Sequence, residues 1–346
     1  MNILILLPYG GGSHTYWAST IKKYSAHQVK ILEMPGRFWK WRMHGSASYF
    51  AKLVNEIDEK FDYILTTSMM NVLEFKGALN ERNRSIPIHL YFHENQFAYP
   101  VSSKDPDQKS ERLEHYQFIQ LQSFIAADKV YFNSEYNRQT FLKGANSLLK
   151  KLPDFKEHLE SKLQRPSKIW KVFIPTNDFT TTKKTTEIIF IWNHRWEEDK
   201  NPKDFFKVLK NLKGEGLSFK LIVCGKESTN DNFIQAKKEF HQEIIHFGEA
   251  KSRSEYLELL KLATHSIITS NHDFYGISAI ELILSGVKTY FPNRLAYPEH
   301  FSQSIWKKIS YKNINEITFS KILAEYPSFD EVMFNMNAPV HDFIDL

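Results

Sequence analysis

Short apolar runs of four to seven residues, rich in β-branched and aromatic side chains, alternate with longer amphipathic stretches, and the alternation runs through this chain twice. The first series places strands at 2–7, 28–33, 62–66, 87–92, 129–132 and 169–174, with helical patterns between them such as 46–59 and 111–127. Strands apolar on both faces belong inside a sheet, and an intervening helix makes successive strands parallel. Residues 175–186, "PTNDFTTTKKTT", are polar and aperiodic and read as a linker. The series then restarts, with strands at 187–192, 218–224, 244–247, 265–269 and 287–291 and helices at 202–213, 232–241, 252–263 and 276–285.

The pattern predicts an α/β chain of two doubly wound domains, over 1–175 and 187–312, facing a cleft. A weakly periodic segment over 313–346 is a candidate to cross back to the first domain. At 346 residues, the chain is long enough to give each domain its own core. A single cysteine, Cys224, cannot form an internal disulfide, which points to a reducing, cytoplasmic setting. The N-terminal apolar run stops at Pro8 without a preceding basic region and reads as a strand. No apolar run approaches the roughly 20 residues of a membrane span. Net charge is +5, but ten lysines and arginines face only four acids between Lys143 and Lys184. Such a stripe suits either a polyanion or a solvated helical face.

Ligands of doubly wound sheets bind beyond the carboxyl ends of the strands, so residues just after strands are the candidates. After the first strand, "PYGGGSH" (8–14) opens a helix. Its glycines let the backbone approach a ligand and the helix start suits phosphate, though a tight structural turn has the same composition. After the fourth strand, His93, Glu94, Asn95 and Gln96 form a polar block. His93 there is either a proton-transfer or hydrogen-bonding group for a substrate, or a surface residue. "RFWKWR", with Arg37, Trp39, Lys40, Trp41 and Arg42, interleaves cations and aromatics. It suits base stacking with phosphate contacts, or partial packing of Phe38, Trp39 and Trp41 with snorkelling cations.

In the second domain, Arg195 and Lys200 in "NHRWEEDKNP" pair a planar fork with a point charge, fit for a diphosphate, unless Glu197, Glu198 and Asp199 absorb them. In "NHDFYGISAIELILSG" (271–286), Asp273 precedes a helix starting near Gly276, as a ligand contact or a helix cap. Glu281 shares the apolar stripe of Ile277 and Leu284, where a carboxylate needs a partner such as a sugar hydroxyl. No metal motif stands out. "DPD" at 105–107 lies in a polar loop, and no metal or other cofactor is expected.

Together these strings resemble the two-domain nucleotide-sugar glycosyltransferases of GT-B architecture, two Rossmann-like domains with a retaining GT4-type acid pair. "YGGGSH", "WKWR", "YFHENQFAYP", "ADKVYFNSEYN", "NHRWEEDKNP", "HDFYG" and "YPEHF", in this order from residue 3 to about 301, closely resemble the tRNA-queuosine α-mannosyltransferase family. The resemblance implies GDP-mannose as donor and the queuosine cyclopentenediol of a tRNA anticodon as acceptor. Gly11, Gly12, Gly276 and Ile277 would line the donor, His93 would lie by the reacting sugar carbon, and Arg195 and Lys200 would hold the diphosphate. Asp273 would contact mannose and Glu281 the ribose. Arg37, Trp39, Lys40, Trp41, Arg42, Glu94, Asn95 and Gln96 are the candidates for the tRNA side. No protein partner is predicted. Two departures touch the sugar end: Asp273 stands where the family motif has Glu, and the first loop carries an extra glycine. Two alternatives keep the fold: a GT4-type enzyme with another donor or acceptor, and a non-catalytic nucleotide- or RNA-binding relative. A dinucleotide oxidoreductase is disfavoured by the missing GxGxxG.

Overall fold

The computed structural model describes residues 1–100, 112–154, 156–181, 185–226 and 230–339. The described residues separate into two compact units, one over Met1–Phe173 and one over those from Ile174 to 339.

The first unit is built on strands β1 (Asn2–Leu7), β2 (Gln28–Glu33), β3 (Tyr63–Thr67), β4 (Ile88–Phe92), β5 (Lys129–Phe132) and β6 (Lys168–Ile169), in the order β2-β1-β3-β4-β5-β6. Every pairing is parallel; Ile3, for example, lies opposite Val29 on one side and Tyr63 on the other. Helices α1 (Gly12–Tyr24), α2 (Trp39–Glu56), α3 (Val72–Ala78), α4 (Arg112–Ala126), α5 (Glu135–Leu149) and α6 (Lys156–Leu163) make the crossovers and flanks. Alternate strand residues Leu4, Leu6, Leu90, Phe92 and Phe132 pack against Phe50, Phe75, Phe124 and Phe141 from the helices. The rings of Phe92 and Phe132 stack at 4.5 Å. The chain's high aromatic content is thus spent largely on ring-filled cores.

The second unit carries β7 (Ile189–Trp192), β8 (Lys220–Cys224), β9 (Ile244–Gly248), β10 (His265–Ile267), β11 (Lys288–Pro292) and β12 (Ser310–Tyr311), in the order β12-β11-β10-β7-β8-β9. Its helices are α7 (Pro202–Gly214), α8 (Asp231–Glu239), α9 (Arg253–Leu262), α10 (Ile277–Leu284), α11 (Gln303–Ile309), α12 (Phe319–Leu323) and α13 (Phe329–Phe334). Phe190 and Trp192 face one core, while Ile189 and Ile191 face another across the sheet, as a doubly covered sheet requires. Cys224 is buried in the second of these cores.

Both sheets therefore follow the doubly wound plan expected from the sequence. Two local readings differ. The strand expected at 169–174 is reduced to Lys168–Ile169; beyond it Trp170 makes one amide bond to the Phe132 carbonyl and the ladder ends. The helix expected from 46 begins at Trp39, so it takes in most of "RFWKWR". Over its described part the C-terminal segment packs within the second unit, where Ile317 and Ile322 join one core, Val332 the other, and Met336 bridges to Phe301; the crossing expected beyond it falls outside the described residues. Residues beyond 339, like "DPD" at 105–107, lie outside the described residues. Among the described residues, no helix is long and apolar enough to cross a membrane.

The lysine-rich stretch is not one surface. Arg165 turns inward, donating to the carbonyls of Phe124, Ile125 and Asp128 at the end of α4, while Lys151 pairs with Glu114. Lys183 and Lys184 lie outside the described residues.

Candidate active site

In the first unit, strand order reverses between β1 and β3, and the chain leaves β1 through the glycine turn. Gly11 and Gly12 have φ of +93° and +54°, and a Cβ on either would meet nothing within 4 Å, so the backbone here is open to an approaching group. A Cβ on Gly10, by contrast, would run into the Glu33 carboxylate. The Gly11 amide is engaged within the fold, donating to Thr15 Oγ1 at 2.5 Å and Glu33 Oε1 at 3.1 Å. That amide is therefore not among the free N–H groups of the helix start.

One turn into α1 comes His14, which the sequence reading passed over. Its ring lies on that of His93, just past β4, with centroids 4.2 Å apart. Trp17 and Tyr91 close the edges of His93 at 4.8 and 4.7 Å. Both histidines are buried, and His14 Nδ1 and His93 Nε2 have no hydrogen-bond partner. Burial drives the His14 pKa down to about 4. Burial, and then the neighbouring His14, hold His93 well below its ordinary value. Two buried nitrogens in one ring stack are therefore left with hydrogen-bonding capacity that a polar ligand can use. The signal available in sequence was the histidine two residues after the glycines.

The rest of the polar block divides. Asn95 is fully buried: its Nδ2 donates to Asn137 and Thr140, and its Oδ1 accepts from the amides of Phe97 and Ala98. It is a loop anchor, which removes it from the tRNA-side candidates. Gln96 is held by its backbone to Gln120 and Gln117, and its side chain donates to Glu94 Oε1 at 3.2 Å. Glu94 is half-buried. "RFWKWR" divides too. Trp39 packs on Tyr116 at 5.0 Å beside Met43 and Met69, whereas Phe38 and Trp41 are 68% and 74% exposed.

In the second unit the order reverses between β7 and β10, and their two exit loops meet. Lys200 closes a 3-10 turn at Glu198–Lys200, just before α7, whose start is capped by Asn201 and has Pro202 at its first position. Lys200 is 9% exposed, and its Nζ donates to the His272 carbonyl at 2.8 Å. It also pairs with Asp273 Oδ2 at 3.3 Å and Asp199 Oδ2 at 3.4 Å. Arg195, on the same loop, is exposed and pairs with Glu197 at 3.0 Å.

Asp273 accepts from Tyr297 OH at 3.2 Å and, through Oδ1, from the Tyr275 amide at 3.2 Å. Burial pushes its carboxyl up, but Lys200, His194 and the Tyr275 amide outweigh that and hold it below the usual range. It is not the helix cap. That position belongs to Gly276, at φ +91°, where a Cβ would come 2.7 Å from the Tyr297 ring. No side chain caps α10 and its first turn carries no acid, so Ile277 begins the helix with its dipole end open.

Glu281 is 5% exposed, and both its oxygens are already occupied, by Arg253 at 2.8 Å and Tyr256 OH at 2.8 Å. Burial pushes its pKa up. The expectation that this acid lacks a partner until ribose arrives is thereby corrected: its burial is compensated from α9. His194 accepts or donates at Nδ1 with Ser278 at 3.0 Å, while its buried Nε2 has no partner. Among the described residues, no three metal-ligating side chains cluster.

Two family descriptions match the chain: "tRNA-queuosine alpha-mannosyltransferase N-terminal" over residues 2–174 and "Glycosyl transferases group 1" over 173–289. A tRNA-queuosine alpha-mannosyltransferase from Drosophila melanogaster is 30% identical, over 92% of this chain and 85% of that protein. Solved structures share the fold. An alpha,alpha-trehalose-phosphate synthase from Burkholderia xenovorans superposes with TM-score 0.66 at 9% identity, covering 96% of this chain and 95% of that one. The HepE protein of Anabaena, solved with UDP and glucose, gives 0.58 at 13% identity, covering 86% of this chain and 82% of that one.

Removing the Lys200 ammonium strands two buried carboxylates, so Lys200→Ala is expected to cost about 3–5 kcal/mol of folding stability. The exposed Arg195→Ala should cost less than about 1 kcal/mol. Urea unfolding compares the two, and equal stabilities would contradict the burial argument. Asn95→Ala should cost about 1–3 kcal/mol in the same assay. Burial drives His14, His194, His265 and His272 each to about 4 in the folded chain, against an ordinary 6.5. The unfolded chain therefore binds more protons between those values, and stability is lost as pH falls through that window, by up to about 1.4 kcal/mol per pH unit for each group. Melting temperatures from pH 7 to 4 should fall, and less steeply in His265→Phe.

Proposed function

The chain belongs to the tRNA-queuosine alpha-mannosyltransferase family and is a glycosyltransferase, and from that premise we propose that it transfers mannose from GDP-mannose to the cyclopentenediol of queuosine in a tRNA anticodon, with retention at the sugar carbon. The observation that carries the reading is the Lys200 cluster. A buried ammonium, an exposed guanidinium on the same loop and the uncapped start of α10 gather positive ends on the exit loops of one sheet. As the bond from the anomeric carbon to the diphosphate breaks, its electron pair goes to the diphosphate, a cyclopentenediol oxygen bonds to the same face of that carbon, and the hydroxyl proton passes to the departing phosphate oxygen. Arg195 and the Ile277 end of α10 stabilise that charge, and Lys200 joins them once its Nζ releases Asp199 or Asp273.

Lys200 already shares its charge with Asp199 and Asp273, and Arg195 with Glu197, so the open helix end supplies attraction that no carboxylate offsets and the two side chains supply donors that exchange from those acids. We assign the transferred sugar to His93 and, beside it, His14, whose free nitrogens suit sugar hydroxyls. Asp273, fixed by Lys200, Tyr297 and the Tyr275 amide, keeps a rigid orientation that suits a sugar contact. Glu281 reaches ribose only if Arg253 or Tyr256 yields one oxygen. With cations in place at the leaving group, the reaction needs no metal, and turnover in EDTA is expected to equal that in buffer alone.

The test is incubation with GDP-mannose and either queuosine-containing or queuosine-free tRNA, followed by nucleoside mass spectrometry. A hexose mass increment on queuosine alone supports the reading. An increment from a different nucleotide sugar, or on a different acceptor, replaces it with another GT4-type transfer. Arg195→Ala should lose about 100- to 1,000-fold in turnover with its fold intact. Near-normal turnover would remove Arg195 from the leaving-group assignment.

A further inference from the structure

Phe38 and Trp41 are large apolar side chains that the fold leaves uncovered, at 68% and 74% exposure. Phe38 caps α2 in a left-handed conformation, φ 57° and ψ 48°, a region that aromatic residues seldom occupy. Strain of this kind persists only where surrounding structure imposes it, and it concentrates at binding sites. Here it sets an aromatic ring outside the core at the start of a helix. Trp41 and His44, three apart on α2, are neighbours on its surface, and Phe38 stands at the helix's N-terminal boundary. The ladder continues across to α4: Trp41 meets His44 at 6.5 Å, and His44 stacks on His115 at 4.8 Å with planes 19° apart. His44 and His115 are exposed as well.

Cations interleave with these rings. Arg37 lies over Phe38 at 5.7 Å, Lys40 over Trp39 at 5.6 Å, and Arg42 Nε is buried without a partner. No acid lies between Arg37 and His44 in the chain. Trp39 alone turns inward, onto Tyr116, and anchors the helix start on which the other rings stand.

Rings standing off a rigid helix and flanked by cations match the two demands of an unpaired nucleic-acid strand, stacking for its bases and charge for its phosphates. A lipid surface asks instead for a continuous apolar helix face, and here that face is broken by two histidines. We propose that Phe38, Trp41, His44 and His115 form a stacking platform for unpaired bases of an RNA loop, with Arg37, Lys40 and Arg42 on the adjoining phosphates. This rests on the tRNA reading above for its acceptor class and adds the surface and the mode of recognition.

The experiment measures binding of the full chain to a labelled RNA hairpin with a seven-nucleotide loop lacking queuosine, and to a fully paired duplex of equal length, by fluorescence anisotropy. The hairpin should bind more tightly. Phe38→Ala with Trp41→Ala should weaken hairpin binding about tenfold or more and leave duplex binding unchanged, because stacking needs unpaired bases. Neither ring is buried, so the melting temperature should hold and a folding defect is separable. Arg37→Ala should weaken both RNAs and flatten the salt dependence. Unchanged hairpin affinity in the double variant, equal loss on hairpin and duplex, or capture of phosphatidylserine vesicles in preference to RNA would each overturn the proposal. Because the hairpin carries no queuosine, failure here is distinguishable from failure of the transfer assay.

Discussion

An ammonium group at Lys200, taken out of water and held by one carbonyl and two carboxylates, sets the geometry of the second unit's exit loops. None of the three charges would be tolerable alone: a buried Lys or Asp without a partner loses its charge or its fold. Together they fasten the loop after β7 to the loop after β10. Backbone bonds reinforce the same seam, with the Asp199 carbonyl accepting the amides of Asn271 and His272 and Thr269 Oγ1 donating to the Lys200 carbonyl. The strand order makes this possible, because β7 and β10 are neighbours in the sheet although 72 residues separate their ends, from Trp192 to His265, including the whole of β8, α8, β9 and α9.

Both units bury histidine nitrogens without a partner, His194 Nε2 in the second as well as His14 Nδ1 and His93 Nε2 in the first, and they differ in how they treat charge. The second neutralises its buried charges internally, so Lys200, Asp273 and Glu281 are all partnered before any ligand arrives. The first leaves nitrogens of His14 and His93 unpaired within a stack of rings. Unpaired polar atoms cost stability that packing elsewhere must offset, and they are retained where a ligand completes them. A neutral histidine pair can bind hydroxyls without attracting a competing anion, which suits a sugar better than a diphosphate.

Much of this was legible in the chain. Periodicity placed eleven strands because each is short, apolar and bounded by polar turns, and the helix start at Gly276 followed from a glycine between an apolar strand and an apolar helical stripe. The place of Arg195 and Lys200 in a loop between a strand and a helix was legible from the sequence, though not that Glu197, Asp199 and Asp273 pair with them. Less was legible where tertiary partners decide. Glu281 on an apolar stripe announced a need for a partner but not that Arg253 and Tyr256, on another helix, would meet it. Asn95 looked like its polar neighbours, and only the fold shows its amide consumed by Asn137 and Thr140. "RFWKWR" has no periodicity that separates the packed Trp39 from the exposed Phe38 and Trp41, since the choice depends on Tyr116 arriving from α4.

The central claim is that the Lys200 cluster and the open end of α10 receive the leaving diphosphate. A crystal structure of the chain with GDP bound tests it most directly. The account predicts diphosphate density within hydrogen-bond distance of Arg195, of Lys200 Nζ and of the amides at Ile277. Diphosphate density away from all three, with the Lys200 cluster unchanged, would contradict it.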